Sequence, residues 1–126
     1  MGERTANVHD GDIGATITGL AEVIHSRVTA SPEESYTARL LSGKEDSLLK
    51  KLVEESCEVV MAAKDRDHDH IRYEAGDLVY HLLVVLERYG IELDEFAAEL
   101  NNRMTEAERP SGGVRLFEEH VKRGHT

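Results

Sequence analysis

The chain has 126 residues, enough for one domain with a substantial core. It contains no Trp, 2 Phe, 4 Tyr and 2 Pro, a composition that favours helices over a sheet, where aromatic and β-branched residues concentrate. Its 15 basic and 25 acidic residues give a net charge of −10. Such a surface repels a phosphate backbone, which argues against a nucleic-acid partner but not against a free nucleotide whose charge is neutralised by a cation.

Apolar residues at helical spacing predict two helices in the first third of the chain. The first begins at Asp12 and continues to about Val28. The second is predicted to begin at Ser31 and Pro32, with the serine as N-cap and the proline in the first helical position. It ends at Gly43, which breaks the apolar pattern.

The same spacing predicts three further helices. The third spans about residues 46–64 and the fourth about residues 69–89, where Gly90 has the position of a C-terminal capping glycine. Asp94 caps a fifth helix that continues through "EFAAELNNRMTEAE" and stops before the breaker "RPSGG". Short connections favour antiparallel neighbours, so we predict an all-α, antiparallel bundle of about four to five helices.

The domain boundaries follow from the same pattern. Residues 1–11 are polar without a period and are predicted to be a flexible lead-in. Residues 12–108 form the predicted all-α domain. Residues 109–126 are predicted to be a C-terminal tail able to form a short amphipathic helix.

Two acidic residues border the apolar stripe of the third helix. At about 100° of rotation per residue, with Leu52 as the centre of the apolar face, Glu55 falls about 60° from that centre and Glu58 about 120°. Lys51 lies between them on the helical wheel, whereas Glu54 points to the opposite face. Acidic side chains therefore lie in and beside the apolar face of this helix, where packing against a core would require apolar side chains.

The fourth helix repeats this arrangement. With Leu78 at the centre, Glu74 falls about 40° and Asp77 about 100° away, both on one side. His70 and His81 project from that same edge. If the third and fourth helices are antiparallel neighbours, the four carboxylates of the two helices converge.

Four ionised carboxylates in one place repel each other, and each loses several kcal/mol of hydration. Proteins resolve such clusters by raising pKa values, by adding cations or by binding metal. Oxygen ligands favour hard cations, so we predict Mg²⁺ at this site, with Mn²⁺ as a possible substitute. The alternative is that each pair is solvated, which is common for acids three residues apart on an amphipathic helix.

The acidic motifs resemble a known family. "EExxE" at Glu54, Glu55 and Glu58, followed by "ExxD" at Glu74 and Asp77, resembles the signature of the all-α nucleoside triphosphate pyrophosphatases, the MazG-like group. Within that group, "SYTARLLSGKEDSLLKKLVEESCEVVMAAK" and "YEAGDLVYHLLVVL" are most similar to the phosphoribosyl-ATP pyrophosphatase family. The resemblance covers about residues 13–104, although Val53 stands where the family has glycine.

This resemblance implies an enzyme that uses Mg²⁺ to hydrolyse phosphoribosyl-ATP to phosphoribosyl-AMP and pyrophosphate in histidine biosynthesis. The residues that it implies fall into three groups. The metal ligands, which also form the catalytic set, are Glu55, Glu58, Glu74 and Asp77. Glu54 belongs to the motif and is implied as a further catalytic residue. Candidate partners for the substrate's phosphates are Lys51, Arg72 and Arg103. The alternative for these residues is an ion pair on the helix surface, which is the favoured interpretation for Arg72.

Other functions stay open at this point. A house-cleaning pyrophosphatase acting on dUTP, dCTP or damaged nucleotides has the same acidic signature, and a non-catalytic helical dimerisation module could retain it as a vestige. A di-iron site is disfavoured, because Glu58 and Asp77 occupy the positions where such sites need histidine. "DRDHDH" at residues 65–70 is interpreted as a solvated helix boundary rather than a phosphohydrolase motif.

Partners and compartment can also be predicted. Long apolar stripes on modest helices, together with the family resemblance, predict a homodimer or a higher homo-oligomer. The single cysteine, Cys57, excludes an internal disulfide and suits a reducing compartment. No stretch approaches about eighteen unbroken apolar residues, and we see no apolar signal segment. We therefore expect a cytoplasmic protein with no membrane partner.

Overall fold

The structure is a computed structural model, and it describes residues 8–110. Within this range it contains α-helices and two short 3₁₀ turns but no β-strand, which confirms the predicted all-α fold. The predicted lead-in lies largely outside the described residues, as does most of the predicted tail. The helices are α1 (Ile13–Ser26), α2 (Tyr36–Ser42), α3 (Glu45–Lys64), α4 (His68–Arg88) and α5 (Leu93–Asn101).

The start of α2 differs from the prediction. The sequence places the N-cap at Ser31, but the structure places it at Ser35, whose hydroxyl accepts a hydrogen bond from the backbone N–H of Ala38 at 3.1 Å. The backbone carbonyl of Ser31 instead accepts hydrogen bonds from the N–H groups of Glu34 and Ser35, at 3.1 and 3.0 Å. The prediction is wrong because both serines are good N-caps, and the first one closes a turn.

The fifth helix is also shorter than predicted. It begins at Leu93, with Glu92 rather than Asp94 in the N-cap position, and it ends at Asn101. The side chain of Thr105 then caps a separate 3₁₀ turn, where the Thr105 N–H donates to Glu108 Oε1 at 2.7 Å. Two consecutive asparagines favour the end of a helix over its continuation, and this capping box begins the separate 3₁₀ turn.

The two longest helices, α3 and α4, are antiparallel neighbours. A short turn at residues 65–67 joins them, and Arg66 in this turn has a left-handed backbone conformation with φ 55°. The carboxylate of Asp67 accepts from the N–H of His70 at 3.2 Å and so caps α4. Along the pair, Glu58 faces His70, while Glu55, one turn earlier, faces His81. Residue numbers therefore increase along α3 in the direction in which they decrease along α4, as antiparallel pairing requires.

A small aliphatic core holds α1 to α4 together. The residues of this core are between 0 % and 6 % exposed, and they come from all four helices. Truncating one of the fully buried members, Leu48 for example, would cost about 2–5 kcal/mol of stability, because the cavity would collapse only in part. The members are Ile24, Ala38, Leu40, Leu48, Ala62, Leu83 and Val84.

The chain divides into two units, residues 1–89 and residues 90–126. The first unit contains α1 to α4, the four predicted metal ligands and Glu54. The second unit contains α5 and Arg103. No helix within residues 8–110 combines the length and the apolar composition that crossing a lipid bilayer requires.

Candidate metal centre

Four side chains from three helices form the first cluster, which we call the inner cluster: Tyr36 on α2, Glu55 on α3, and Asp77 and His81 on α4. His81 is 4 % exposed and Glu55 is 9 % exposed. Because a carbonyl oxygen can only accept, the Nδ1–H of His81 donates to the backbone oxygen of Asp77, at 2.9 Å. In the neutral ring the other nitrogen, Nε2, then accepts from the Tyr36 hydroxyl at 3.0 Å.

Glu55 is buried without an adequate donor. Its Oε1 lies 2.6 Å from Nδ1 of His81, yet this buried oxygen accepts no well-directed hydrogen bond from any described residue. The single hydrogen on Nδ1 is directed to the Asp77 carbonyl instead. Burial raises the pKa of Glu55, and the negative charge of Asp77 adds to the shift, while His81 and Lys51 oppose it. His81 and Lys51 thus compensate only part of the cost of burying an ionised Glu55.

The hydroxyl of Tyr36 keeps its proton. Burial raises the pKa of Tyr36, and the charges of Tyr80, Glu55 and Asp77 raise it further. The Tyr36 ring also meets the His81 ring edge to face, with ring centroids 6.0 Å apart. Tyr36 therefore remains a donor, and it holds the His81 ring against Glu55 from the side of α2.

A second group of side chains, the outer cluster, lies one turn away along the same helix pair. It consists of Glu58 on α3 and His70 and Glu74 on α4. Nε2 of His70 is 3.1 Å from Glu74 Oε2 and 3.8 Å from Glu58 Oε2. All three ligand atoms lie within 4.8 Å of one another, and no other trio of this kind occurs among residues 8–110. The side chain of Glu58 is 48 % exposed, so the outer cluster opens to solvent.

The four predicted metal ligands are thus arranged two and two. Glu55 and Asp77 belong to the inner cluster, and Glu58 and Glu74 to the outer cluster. Residues three apart on a helix are separated by about one turn, roughly 5 Å along its axis. The two clusters therefore occupy successive turns of one helix-helix seam. Among residues 8–110, the trio whose ligand atoms lie within 4.8 Å of one another includes Glu58 and Glu74 but neither Glu55 nor Asp77. The sharing of a single ion by all four carboxylates stays a prediction.

The remaining predicted site residues are more peripheral. Glu54 points away from the seam and pairs with Lys50 at 3.9 Å. Lys51 is half-buried, and its charge lowers the pKa of Glu55. Arg72 forms an ion pair with Asp69 at 3.1 Å, the surface role that the sequence also allowed. Arg103, in the second unit, pairs with Glu99 at 2.8 Å. Of the three predicted phosphate partners, Lys51 has the clearest link to the clusters.

Sequence reasoning missed His70 as a candidate ligand, although the helical wheel placed it on the correct edge. The available signal was its spacing, because residues four apart on a helix face the same neighbour. It also missed Tyr36, which stands outside both acidic motifs and reaches the inner cluster only because α2 packs against α4. The wheel did place His81 correctly beside the carboxylates.

The residues of both clusters fit a divalent cation. The unpartnered oxygen of Glu55 and the oxygens of Asp77 offer hard donors in the inner cluster. The outer cluster offers two carboxylates, one of them buried, and an imidazole nitrogen. A cation would supply the positive charge that burial of Glu55 and Glu74 requires.

An all-α domain with acidic pairs on two antiparallel helices has the features of the MazG-like pyrophosphatases that the sequence resembles. The family model described as phosphoribosyl-ATP pyrophosphohydrolase matches residues 17–104. The chain belongs to the phosphoribosyl-ATP pyrophosphohydrolase family. This confirms the resemblance drawn from the acidic motifs.

Individual relatives agree with this placement. A phosphoribosyl-ATP pyrophosphatase of Rhizobium etli is 44 % identical over 94 residues, which is 75 % of this chain and 88 % of the relative. A phosphoribosyl-ATP pyrophosphatase of Methylobacterium nodulans is 46 % identical over 92 residues, 73 % of this chain and 86 % of the relative. The histidine biosynthesis bifunctional protein HisIE of Bacillus subtilis is 44 % identical over 89 residues, 71 % of this chain and 43 % of the relative.

Proposed function

We propose that this chain hydrolyses phosphoribosyl-ATP to phosphoribosyl-AMP and pyrophosphate in histidine biosynthesis, and that the reaction depends on Mg²⁺. One water is consumed and one phosphoanhydride bond is broken. The observation that carries the proposal is the buried carboxylate of Glu55, whose Oε1 lies 2.6 Å from His81 Nδ1 without a well-directed hydrogen bond, at a seam of facing acids. Membership of the family and the names of the relatives support the substrate and the pathway.

The residues proposed to hold Mg²⁺ are Glu55, Glu58, Glu74 and Asp77, and Mn²⁺ could replace it. When bound, the ion would neutralise charge on the triphosphate and act as a Lewis acid on its oxygens. The chain has a net charge of −10 and would otherwise repel such a substrate. The requirement for a cation thus follows from the surface charge as well as from the acidic seam.

The chain's own residues orient and complement the reacting groups. Tyr36 fixes the ring of His81, and His81 lies against the carboxylate of Glu55, which reduces the motion that would otherwise be lost on binding. A carboxylate of the clusters would accept the proton of the attacking water. Lys51 would face developing negative charge on the phosphates, with Arg72 and Arg103 as weaker candidates. Glu54 is proposed as a further catalytic residue of the motif, with its side chain on the outer side of α3.

We also propose that the protein works as a homodimer or higher homo-oligomer in the cytoplasm. The outer face of α3 supports assembly, because Val53, Val60 and Met61 on it are 66 %, 60 % and 59 % exposed. Apolar side chains that share one helix face are stabilised when another surface covers them. The thiol of Cys57 is also exposed, which suits a reducing compartment.

Genetic complementation tests the substrate and the activity together. The wild-type chain should restore growth without histidine to a bacterium that lacks this hydrolytic step, and Asp77→Asn should not. Glu22→Gln, which alters an exposed carboxylate on α1, should complement like the wild type and controls for expression. Complementation by Asp77→Asn, or failure of the wild type while purified protein is folded, would contradict the proposal.

Substrate profiling separates the remaining alternatives. Purified protein should release pyrophosphate from phosphoribosyl-ATP with a kcat/KM at least about a hundredfold above that for dUTP or dCTP, because a site that hydrogen-bonds the second ribose discriminates against nucleotides that lack it. The reverse order would indicate a house-cleaning enzyme. No release from any of the three substrates would indicate a non-catalytic helical module.

A further inference from the structure

We infer that His70 is a metal ligand, and that the outer cluster binds a transition-series dication such as Mn²⁺ through one imidazole nitrogen and two carboxylate oxygens. The inference rests on the proposed function only for its biological meaning, because ion binding can be measured without substrate. It adds a nitrogen donor to the predicted Mg²⁺ site, whose other ligands are all oxygen atoms. This donor changes which metal ions the site prefers.

The spacing of the three donor atoms suits one ion. Ligand atoms about 2.1 Å from an octahedral ion are about 3.0 Å apart when adjacent and about 4.2 Å apart when opposite. The two distances from Nε2 of His70, 3.1 Å to Glu74 and 3.8 Å to Glu58, fall within that range. No pair among the three atoms exceeds 4.8 Å. An ion could therefore be bound with small changes in side-chain torsion.

The backbone fixes this geometry in advance. His70 and Glu74 are four residues apart on α4, so they face the same side of the helix. Asp67 caps the turn on which His70 stands, through the His70 N–H at 3.2 Å. Glu58 is brought opposite by the antiparallel pairing of α3. Such a ligand set needs little ordering when an ion arrives, which favours binding.

Burial within the outer cluster is graded. The side chain of Glu74 is 10 % exposed and that of His70 is 18 % exposed, whereas that of Glu58 is 48 % exposed. Glu74 and His70 are thus largely shielded from water. Glu58 lies on the solvent-facing side, from which an ion can approach. A buried carboxylate that already needs a positive partner gains most from a dication.

The nitrogen donor determines the class of ion. Mg²⁺ and Ca²⁺ prefer oxygen ligands, while imidazole is suited to the first-row transition ions, whose affinities rise from Mn²⁺ towards Cu²⁺. Replacing one oxygen by Nε2 of His70 therefore shifts preference away from Mg²⁺ and Ca²⁺ and towards Mn²⁺, Fe²⁺, Co²⁺ and Zn²⁺. Because imidazole is neutral, the three donors of the outer cluster carry two negative charges, one fewer than three carboxylates would carry.

Pulsed EPR on the full chain loaded with Mn²⁺ tests the inference directly. The wild type should show the hyperfine coupling of a coordinated ¹⁴N nucleus, and His70→Gln should lose it. His68→Gln is the matched control, because His68 lies two residues away with an 88 % exposed side chain, and it should keep the coupling. His81→Gln identifies the source of the nitrogen and should keep the coupling too.

Dissociation constants provide the second measurement. His70→Gln should weaken Mn²⁺ binding about tenfold or more, the usual scale for loss of groups in and around a metal site, and should weaken Mg²⁺ binding by less. His70→Glu provides a third carboxylate in the outer cluster, so it should bind Mg²⁺ at least as well as the wild type while lacking the nitrogen coupling. Binding of Mg²⁺ by His70→Glu would show that the fold tolerates substitution at this position.

Three results would overturn the inference. They are absence of nitrogen coupling in the wild type, coupling that persists in His70→Gln but disappears in His81→Gln, and equal weakening of Mn²⁺ and Mg²⁺ by His70→Gln. The last result would mean that His70 only pairs with Glu74. Because no substrate is present, coupling through His70 in a protein that fails to hydrolyse phosphoribosyl-ATP would sustain this inference and contradict the proposed function alone.

Discussion

The inner and outer clusters lie on successive turns of the same two helices but differ in burial and in support. In the inner cluster, Glu55 and His81 are almost fully buried, and a third helix, α2, contributes Tyr36, which hydrogen-bonds to His81. In the outer cluster, only α3 and α4 contribute, and Glu58 faces solvent. The comparison suggests a division of roles along the seam. The inner turn holds a carboxylate rigidly, and the outer turn admits the ion and the charged part of the substrate.

The largest effect is expected from Glu55→Gln in the inner cluster. It should lower kcat for pyrophosphate release roughly a thousandfold, because it removes a preorganised charge from a water-poor site. Circular dichroism should remain helical, since the amide has the same shape. Steady-state kinetics with phosphoribosyl-ATP measures the loss, and Glu22→Gln on α1 serves as the control. Turnover within about tenfold of wild type would remove Glu55 from the ligand set.

A pair of variants compares the carboxylates of the outer cluster. Glu74→Gln should weaken Mg²⁺ binding by about ten- to a hundredfold, because Glu74 is buried and its charge needs the ion. Glu58→Gln should have a smaller effect, since solvent screens an exposed carboxylate. The Mg²⁺ concentration that gives half-maximal activity measures both. The opposite order would contradict the assignment of the ion to the buried side of the outer cluster.

A smaller effect is expected from Tyr36→Phe, which removes the hydroxyl that donates to His81. We expect about a tenfold fall in kcat with KM changed by less than about twofold, as for loss of orientation rather than of binding. Stability should fall by about 1 kcal/mol. Tyr89→Phe is the matched control, because the Tyr89 hydroxyl donates to Glu45 away from both clusters. Equal losses of kcat in the two variants would refute a positioning role for Tyr36.

The raised pKa of Glu55 predicts a modest pH dependence of stability in the metal-free protein. Burial raises the folded-state pKa of Glu55 above its ordinary value of 4.5. The stability contributed by protonated Glu55 is therefore fully present below that ordinary value and is lost as pH rises through the folded pKa. Above it, wild type should be less stable than Glu55→Gln in chelator, whereas the two should converge at low pH.

Urea denaturation at several pH values measures this difference. Added Mg²⁺ should reduce it, because an ion that binds only the folded wild type stabilises that state. A stability difference that is independent of pH would show that Glu55 is not forced to ionise at a cost in the folded protein.

The helical wheel predicts that Glu55 and Glu74 lie on the core side of their helices, because burial on an amphipathic helix follows largely from the angle to its apolar face. It cannot predict Tyr36, whose place in the inner cluster depends on how α2 packs across α4. It also cannot choose between Ser31 and Ser35 as the N-cap, since both have the right chemistry and the surrounding turn decides. The family could be predicted from the sequence because its motifs place the acidic residues at fixed spacing. His70 lies outside those motifs, so its role as a nitrogen ligand could not be predicted from them.

The central claim is that the carboxylates of α3 and α4 together hold a dication, and counting bound metal tests it most directly. Metal-free protein should be titrated with Mn²⁺ while the EPR signal of the free ion is recorded, and Mg²⁺ should then be added in competition. We expect saturable binding in the wild type, displacement by Mg²⁺, and binding weakened at least about tenfold in both Glu55→Gln and Glu74→Gln. Wild-type protein that leaves all Mn²⁺ free, or variants that bind it as tightly as the wild type, would contradict the account.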